Sequence, residues 1–536
     1  MDGPADRPDV VVVGAGPAGL YLLHRLRRLG LTAVVLEAAD DLGGTWYRNR
    51  YPGARCDVES LQYSYSFSAD LEREWDWSER FAGQPEILRY LRQVADRFDL
   101  RRDIRLGTRV VAAHYDEAVR VWRVRTSHGT TVSARYCVLA TGCLSVPRWP
   151  RIPGLDGFRG PVHHTAEWPP DGVEVAGRRI GVIGTGSSAV QAVPVLAEQA
   201  GRLSVFQRTP AYSVPAHNRP LSAAERHRFT ARHDEFRRQQ RLSSSGMVTG
   251  YPPATRSALD VDPDERAGTF EQRWRSGSLM ALMTAYTDLM TDRPANDTVA
   301  GFVRSKIHRT VRDPGVARLL CPDYPFGTRR ICLDTGYYTA FNRPNVQLVD
   351  VRADPLVRAT AHGLRTANRE YRLDVIVVAT GFDAMTGALA SIDLRGRGGR
   401  SLRDEWAAGP RTYLGLAMAG FPNLFTVTGP GSPSVLSNML VSIEQHVEWI
   451  ADCLDALRRR GLTTIEATRP AVDDWVGQVD AVARGTLYPT VDSWYRGANV
   501  PGRPRVFMPY LGGVGGYRKM CDEIAAAGYR GFALSA

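Results

Sequence analysis

Asp9-Val10-Val11-Val12-Val13-Gly14-Ala15-Gly16-Pro17-Ala18-Gly19 is the stretch that settles the architecture. Four consecutive valines read as a strand buried on both faces, as the interior of a parallel sheet requires. The strand runs into G-x-G-x-x-G, and an apolar-periodic helix is expected from Leu20. Gly14 allows the tight turn, Gly16 lets the backbone approach a pyrophosphate, and Gly19 permits close packing of helix on strand. The pyrophosphate would lie at the helix N-terminus, where free N–H groups and the helix dipole favour an anion. A second strand, Ala33-Val34-Val35-Leu36, ends at Glu37, an acid placed to accept hydrogen bonds from ribose hydroxyls and to repel a 2′-phosphate. Strand, glycine loop, helix, strand and acid follow in the order of a dinucleotide-binding unit.

The unit recurs downstream. Arg179-Ile180-Gly181-Val182-Ile183 leads into Gly184-Thr185-Gly186-Ser187-Ser188-Ala189, with Ala189 in the packing position. Its second strand, Leu203-Ser204-Val205-Phe206, ends not in an acid but in Gln207-Arg208-Thr209. Arg208 offers a planar fork, and Thr209 a hydroxyl, to a 2′-phosphate; this site should prefer NADPH to NADH. Taken alone, Arg208 would also read as a surface arginine at a strand end. Two loops with opposite ribose chemistry imply a bound flavin, FAD, and a diffusible reductant, NADPH. The fold class expected is therefore α/β, with two Rossmann-like dinucleotide-binding domains.

Composition excludes several other classes. A chain of 536 residues with 43% apolar and 23% charged residues has room for two or three ordinary cores. The formal charge of +11 raises the question of nucleic acid, but Lys306 and Lys519 are the only lysines and the arginines are scattered rather than striped. No nucleic-acid partner is expected, and part of the excess should serve dinucleotide phosphates. The seven cysteines, Cys56, Cys137, Cys143, Cys321, Cys332, Cys453 and Cys521, are odd in number and contain no C-x-x-C pair. That argues against a disulfide framework, a zinc site or a dithiol reductase, and no metal is expected. Met1 to Pro8 is polar and acidic, and the apolar run Val10 to Leu23 is broken by Gly14, Gly16, Pro17 and Gly19. Neither a leader nor a membrane span is expected, and the chain reads as cytoplasmic.

Just upstream of the second loop lies Phe158-Arg159-Gly160-Pro161-Val162-His163-His164-Thr165-Ala166-Glu167-Trp168-Pro169. Read as F-x-G-x-x-x-H-x-x-x-W-P, it resembles the fingerprint of the type I Baeyer–Villiger monooxygenases, carried here by Phe158, Gly160, His164 and Trp168. The resemblance implies a hinge role for this segment, away from the flavin ring, rather than a general-base role for His164. Val138-Leu139-Ala140-Thr141-Gly142 and Val377-Val378-Ala379-Thr380-Gly381 resemble the strand-ending signatures at which such flavoproteins pass between their FAD and NADP domains.

Further segments extend the resemblance from about Val10 to Tyr517. Gly43-Gly44-Thr45-Trp46-Tyr47-Arg48-Asn49-Arg50-Tyr51-Pro52-Gly53-Ala54-Arg55-Cys56-Asp57 is similar to a family pattern whose turn, at Gly44, Thr45 and Trp46, lines the flavin. Its closing aspartate, Asp57 here, holds the catalytic arginine; without the family, Asp57 reads as a loop cap. Thr328-Arg329-Arg330-Ile331-Cys332-Leu333-Asp334-Thr335-Gly336-Tyr337-Tyr338 resembles the active-site arginine segment. Arg330 matches the catalytic arginine and Arg329, usually Lys in the family, a contact to the NADP 2′-phosphate. Adjacent arginines on their own would be two exposed charges. Asp492-Ser493-Trp494-Tyr495-Arg496-Gly497-Ala498-Asn499 resembles the mobile loop that closes over NADP and substrate, with Trp494 reaching the nicotinamide region; a Trp in such a loop could equally anchor a partner. The stretch Gly429 to Met439 resembles the longer substrate loop of members acting on phenylacetone or steroids, so Ser434, Val435, Leu436 and Met439 would line the pocket.

The function implied is an NADPH- and O2-dependent conversion of a ketone, bulky, cyclic or aryl, to an ester or lactone through a C4a-peroxyflavin and a tetrahedral adduct. Oxygenation of nitrogen or sulfur, an uncoupled NADPH oxidase and a non-enzymatic nucleotide-binding module are the competing readings. Composition and motif order imply an FAD domain over 1–143 and 381–536, an NADP domain over 144–213 and 328–380, and a helical insertion over 214–327.

Overall fold

The computed structural model describes residues 7–536; the reading of Met1 to Pro8 as leader-free falls mostly outside them. Val10–Val13 is the central strand of a five-stranded sheet ordered Leu424–Thr426, Tyr136–Leu139, Val10–Val13, Ala33–Leu36, Ile104–Arg105. Every pairing is parallel, with Val10 opposite Ala33 on one side and Tyr136 on the other. Burial on both faces explains the unbroken valines, each burial contributing roughly 1.5–3 kcal/mol. The following helix spans Pro17–Arg28 and so starts three residues before the expected Leu20. Proline's fixed φ and missing N–H suit a first helical turn, where no intrahelical donor is needed. Gly19 is strictly required, because a Cβ there would stand 1.9 Å from the Gly14 carbonyl oxygen.

A second five-stranded parallel sheet repeats the plan in the order Val346–Asp350, Arg202–Gln207, Arg179–Ile183, Val375–Val378, Val162–His164. In both sheets the alanine of the A-T-G signature abuts the glycine loop. A Cβ on Gly14 would lie 2.5 Å from the Ala140 oxygen, and one on Gly184 2.5 Å from that of Ala379. Each signature therefore ends the strand beside its own loop. The segments following the two signatures run side by side: Arg148 N–H donates to the Gly381 carbonyl at 2.9 Å, and Met385 N–H to that of Cys143 at 2.7 Å.

Smaller β elements flank the sheets, among them a four-stranded sheet pairing Asp393–Arg395 with Val110–Asp116. The helices Ala223–Ala231, His233–Leu242, Pro263–Arg275, Arg293–Thr310 and Pro314–Leu320 lie between two short paired strands, Ser213–Pro215 and Cys332–Asp334. The chain thus leaves and re-enters at neighbouring positions. The long helix Met439–Arg459 packs on Pro17–Arg28. All seven cysteines are unpaired thiols. Among the described residues no helix is long and apolar enough to cross a membrane, and no group of three or more His, Cys, Asp or Glu residues could hold a metal ion.

Candidate active site

The helices that begin at the two glycine loops differ from most others in the molecule. Those starting after Ser222, Asp262, Asp292, Asn438 and Thr468 are capped by a side chain. Those starting after Gly16 and Gly186 carry no side-chain cap and no acid in the first turn. Their orphan N–H groups and positive dipole ends suit a pyrophosphate. Gly16 and Gly44 face each other across the first loop, a Cβ on Gly44 coming within 2.9 Å of the Gly16 Cα. Gly186 opens to solvent, with nothing within 4 Å of a Cβ placed there. Both cradles thus fit a dinucleotide.

The residues that end the second strand of each unit differ as well. Glu37 is buried, its carboxylate accepting from Ala15 N–H at 2.7 Å and Ala39 N–H at 2.8 Å, so it is rigidly presented. Thr45 is exposed, whereas Trp46 is buried, its indole donating to the Tyr63 hydroxyl at 3.1 Å. At the second loop Arg208 is exposed and Thr209 half-buried, and Thr185 donates to the Thr209 carbonyl at 2.8 Å. Arg148 and Arg329 lie near Arg208. Burial, and then the charge of Arg208, lower the pKa of Arg148; Arg329 is lowered by burial and again by Arg208. Two guanidiniums thus lie close enough to Arg208 to feel its charge, a concentration of positive charge that suits an anion. Arg148 was invisible in the sequence, where it sits in a Pro-rich linker without a motif.

Arg330 lies where several distant segments meet. Its Nε and Nη2 donate to one Asp57 oxygen at 2.9 and 2.5 Å, across 273 residues, and Nη1 donates to the Val435 carbonyl. Burial works against the guanidinium charge, but Asp57 outweighs it and holds the arginine above its ordinary pKa. Arg329 points elsewhere: Nη2 donates to the Asp492 carbonyl at 2.6 Å and the guanidinium lies over the Tyr324 ring. Ser187 and Ser188 sit half-buried at the start of the second helix, the Ser187 hydroxyl 3.4 Å from the Cys332 thiol, and Ala189 is fully buried.

An apolar cluster adjoins the arginine. Its buried part includes Val435, Cys143, Ala384 and Met385; Leu144, Met290, Leu436, Met439, Trp494 and Leu511 are only partly covered. Met439 sulfur accepts from Val435 N–H at 3.1 Å. Ser434 is wholly buried, its hydroxyl without a partner in the chain. Tyr495, beside Trp494, is fully buried in the same cluster; nothing in its sequence neighbourhood marked it out.

The fingerprint residues gather elsewhere, at the paired crossings between the sheets. His164 is buried, its Nδ1 accepting from Ala166 N–H at 3.1 Å, and burial lowers its pKa. Its ring lies 5.4 Å from Trp149, while Trp168 packs 5.7 Å from His163. Phe158 is buried, and a Cβ on Gly160 would lie 2.3 Å from the Asp374 carbonyl oxygen.

Residues 11–241 match the pyridine nucleotide-disulphide oxidoreductase family. The acetone monooxygenase (methyl acetate-forming) of Gordonia sp. (strain TY-5) is 42% identical over 98% of this chain and 99% of its own. A Baeyer-Villiger monooxygenase of Pseudooceanicola batsensis (strain ATCC BAA-863 / DSM 15984 / KCTC 12145 / HTCC2597) is 42% identical over 97% of this chain and 95% of its own. Among solved structures, an oxidized steroid monooxygenase bound to NADP superposes with a TM-score of 0.94 at 53% identity, covering 99% of each chain. Full-length similarity of this depth places the chain among the Baeyer–Villiger monooxygenases, FAD-containing and NADPH-dependent enzymes that convert ketones to esters or lactones.

Proposed function

We propose that the ketone is bulky, cyclic or aryl and uncharged, and that Arg330, oriented by Asp57, faces its carbonyl. The observation that carries this reading is the partly covered apolar collar around a single fixed guanidinium. Such a wall rewards apolar area and offers no second cation to a carboxylate or phosphate on the substrate. Ser434, Val435, Leu436 and Met439 would form one side of it.

The first loop, with Glu37 and the Gly44–Trp46 turn, would hold FAD; the second, with Arg208, Thr209, Arg329 and Arg148, would hold NADPH. When bound, the two cofactors supply electron delivery from NADPH to O2. The protein's contribution is electrostatic: as oxygen adds to the carbonyl, negative charge grows on the ketone oxygen, and a preorganised cation stabilises it without reorganisation. Trp494 and the collar would exclude water, which strengthens that interaction. The FAD domain would span 1–143 and 381–536, the NADP domain 144–213 and 328–380, and the helical insertion 214–327, with the fingerprint at the hinge. Unpaired thiols throughout suit a reducing cytoplasm.

A substrate panel tests the reading: acetone, cyclohexanone, phenylacetone and a steroid ketone, with a tertiary amine and a sulfide alongside. The expected order of kcat/KM places phenylacetone and cyclohexanone well above acetone. Acetone ranking first would refute the bulky-ketone reading, and faster oxygenation of amine or sulfide would move the chain's activity to nitrogen or sulfur. Arg330→Ala should abolish ester formation with FAD still bound; ester formation at the wild-type rate would remove Arg330 from its role.

A further inference from the structure

The helix Met439–Arg459 packs on Pro17–Arg28 along one side and on the helix Val514–Ala526 along another. Between it and Val514–Ala526 opens a cavity of about 200 Å3. That volume suits roughly six waters or an organic molecule of similar bulk. The cavity is separate from the arginine centre. Glu448, in its wall, follows Met439 of the collar by about 14 Å along the helix and lies on the opposite side of it.

The charged groups of the wall can be followed to their partners. Glu448 accepts from the Tyr21 hydroxyl and from Arg518 Nη1, each at 3.2 Å. Asp452 pairs with Arg25 at 2.6 Å. Asp522 lies one turn after Arg518 on the same helix, and no donor reaches its carboxylate among the described residues. Three carboxylates thus face two guanidiniums, leaving one negative charge over. Gln445 lines the same cavity and is 2% exposed, yet neither its amide nitrogen nor its amide oxygen has a hydrogen-bond partner among the described residues. A buried amide is costly until something beside it completes its bonds.

The remaining side is aromatic. The Trp449 indole donates to the Cys521 carbonyl at 3.0 Å, and its ring meets Tyr529 edge-on at 5.4 Å, so both rings are fixed in the wall. Aromatic faces beside carboxylates attract organic cations. A bare metal ion is poorly served, because among the described residues no group of three or more His, Cys, Asp or Glu could hold one.

We propose that this cavity is a second ligand site, specific for a small organic ammonium ion. Its N–H groups would bond to the Asp522 carboxylate and the Gln445 amide oxygen, and its carbon body would lie against Trp449 and Tyr529. The site binds without reacting: no bond is made or broken, and a protonated nitrogen has no lone pair to be oxygenated. Occupancy joins Met439–Arg459 to Val514–Ala526 and so stabilises the fold.

Calorimetric titration of the FAD-loaded enzyme, with NADP+ present, tests this with n-butylammonium, tetramethylammonium and Mg2+. The n-butylammonium ion should bind one to one and raise the melting temperature. Tetramethylammonium has the charge but no N–H, and should bind at least about tenfold more weakly. Asp522→Asn should weaken n-butylammonium about 10- to 100-fold. Ala525→Leu puts a larger side chain into the wall and should abolish binding with every charge in place. Equal affinity for the two ammonium ions would reduce the site to general charge attraction and overturn the proposal. Tighter binding of Mg2+ would make it a metal site, and no saturable binding up to about 10 mM would leave a water-filled cleft; either result sinks the idea. Binding that survives both variants and vanishes in Arg330→Ala would place the amine at the ketone site, and the second site would fall.

Discussion

The Tyr51 hydroxyl donates to Gln191 Oε1 at 2.8 Å, and Gln191 Nε2 returns a bond to the Arg55 carbonyl at 3.1 Å. This pair joins the Y-P-G turn beside the first dinucleotide loop to the helix Ser187–Gln199 that begins at the second. Gly53 closes the contact, since a Cβ there would come within 2.3 Å of the Gln191 carbonyl oxygen. Gln191→Ala strands the buried Tyr51 hydroxyl and should lower stability by about 1–3 kcal/mol. Gly53→Ala should cost more, because it adds a backbone clash to a φ of +80°. Thermal unfolding of the two variants checks the order; a Gly53→Ala protein melting with the wild type would refute the packing argument.

Asp57 takes two of the Arg330 donors, so Asp57→Ala leaves the guanidinium held only through Nη1 on the Val435 carbonyl. Ester formation should drop on the order of 100-fold, with FAD retained. Asp57→Asn keeps one acceptor and should fall between that variant and the wild type. Product analysis with a matched FAD determination decides; equal activity of all three proteins would mean that Asp57 is a loop cap and nothing more.

At the second loop the expectations concern the cofactor. Arg208→Ala should raise KM for NADPH about 10- to 100-fold, equivalent to losing one charge-assisted phosphate contact, and leave NADH kinetics nearly unchanged. Gly186→Ala adds a methyl group that meets no protein atom within 4 Å, so the variant should fold normally and still bind NADPH less tightly. Titration with each nucleotide separates these effects. Parallel losses for NADPH and NADH in Arg208→Ala would disprove the 2′-phosphate assignment.

Glu444 provides a pH signature away from the active centre. Burial, with the nearby Glu448 adding to it, pushes its pKa up to about 7 even though Ser66 N–H and hydroxyl donate to it. A folded value above the unfolded one means the stabilising contribution is fully present below about pH 4.5. It is lost as pH rises through 7, on the order of 3 kcal/mol in all. Glu444→Gln should flatten the fall in melting temperature across that window and melt above the wild type at pH 8. Superimposable pH profiles for the two proteins would contradict the shift.

Much of the architecture could be read from the chain because its signals are local. A buried parallel strand, a glycine loop and the residue ending the next strand lie within about thirty residues of one another in such a unit, so Val10–Val13 and Glu37, or Arg179–Ile183 and Arg208, could be assigned from spacing alone. The start of the first helix was placed three residues late because Pro17 reads as a breaker unless its N-terminal position is known. Arg148 and Tyr495 escaped notice for another reason. Neither belongs to a spacing pattern, and each gains its neighbours only when remote segments fold together.

The division follows from how each interaction is encoded. Hydrophobic periodicity and turn chemistry act over a few residues, so the linear chain already specified two parallel sheets, each with a glycine loop at the end of one strand. The meeting of Arg330 with Asp57 and Val435 joins positions from separate elements, and no local rule predicts which carboxylate or carbonyl a guanidinium will find. That choice belongs to the packed molecule, where burying a cation demands that its N–H donors be satisfied by whatever groups the fold has brought within reach.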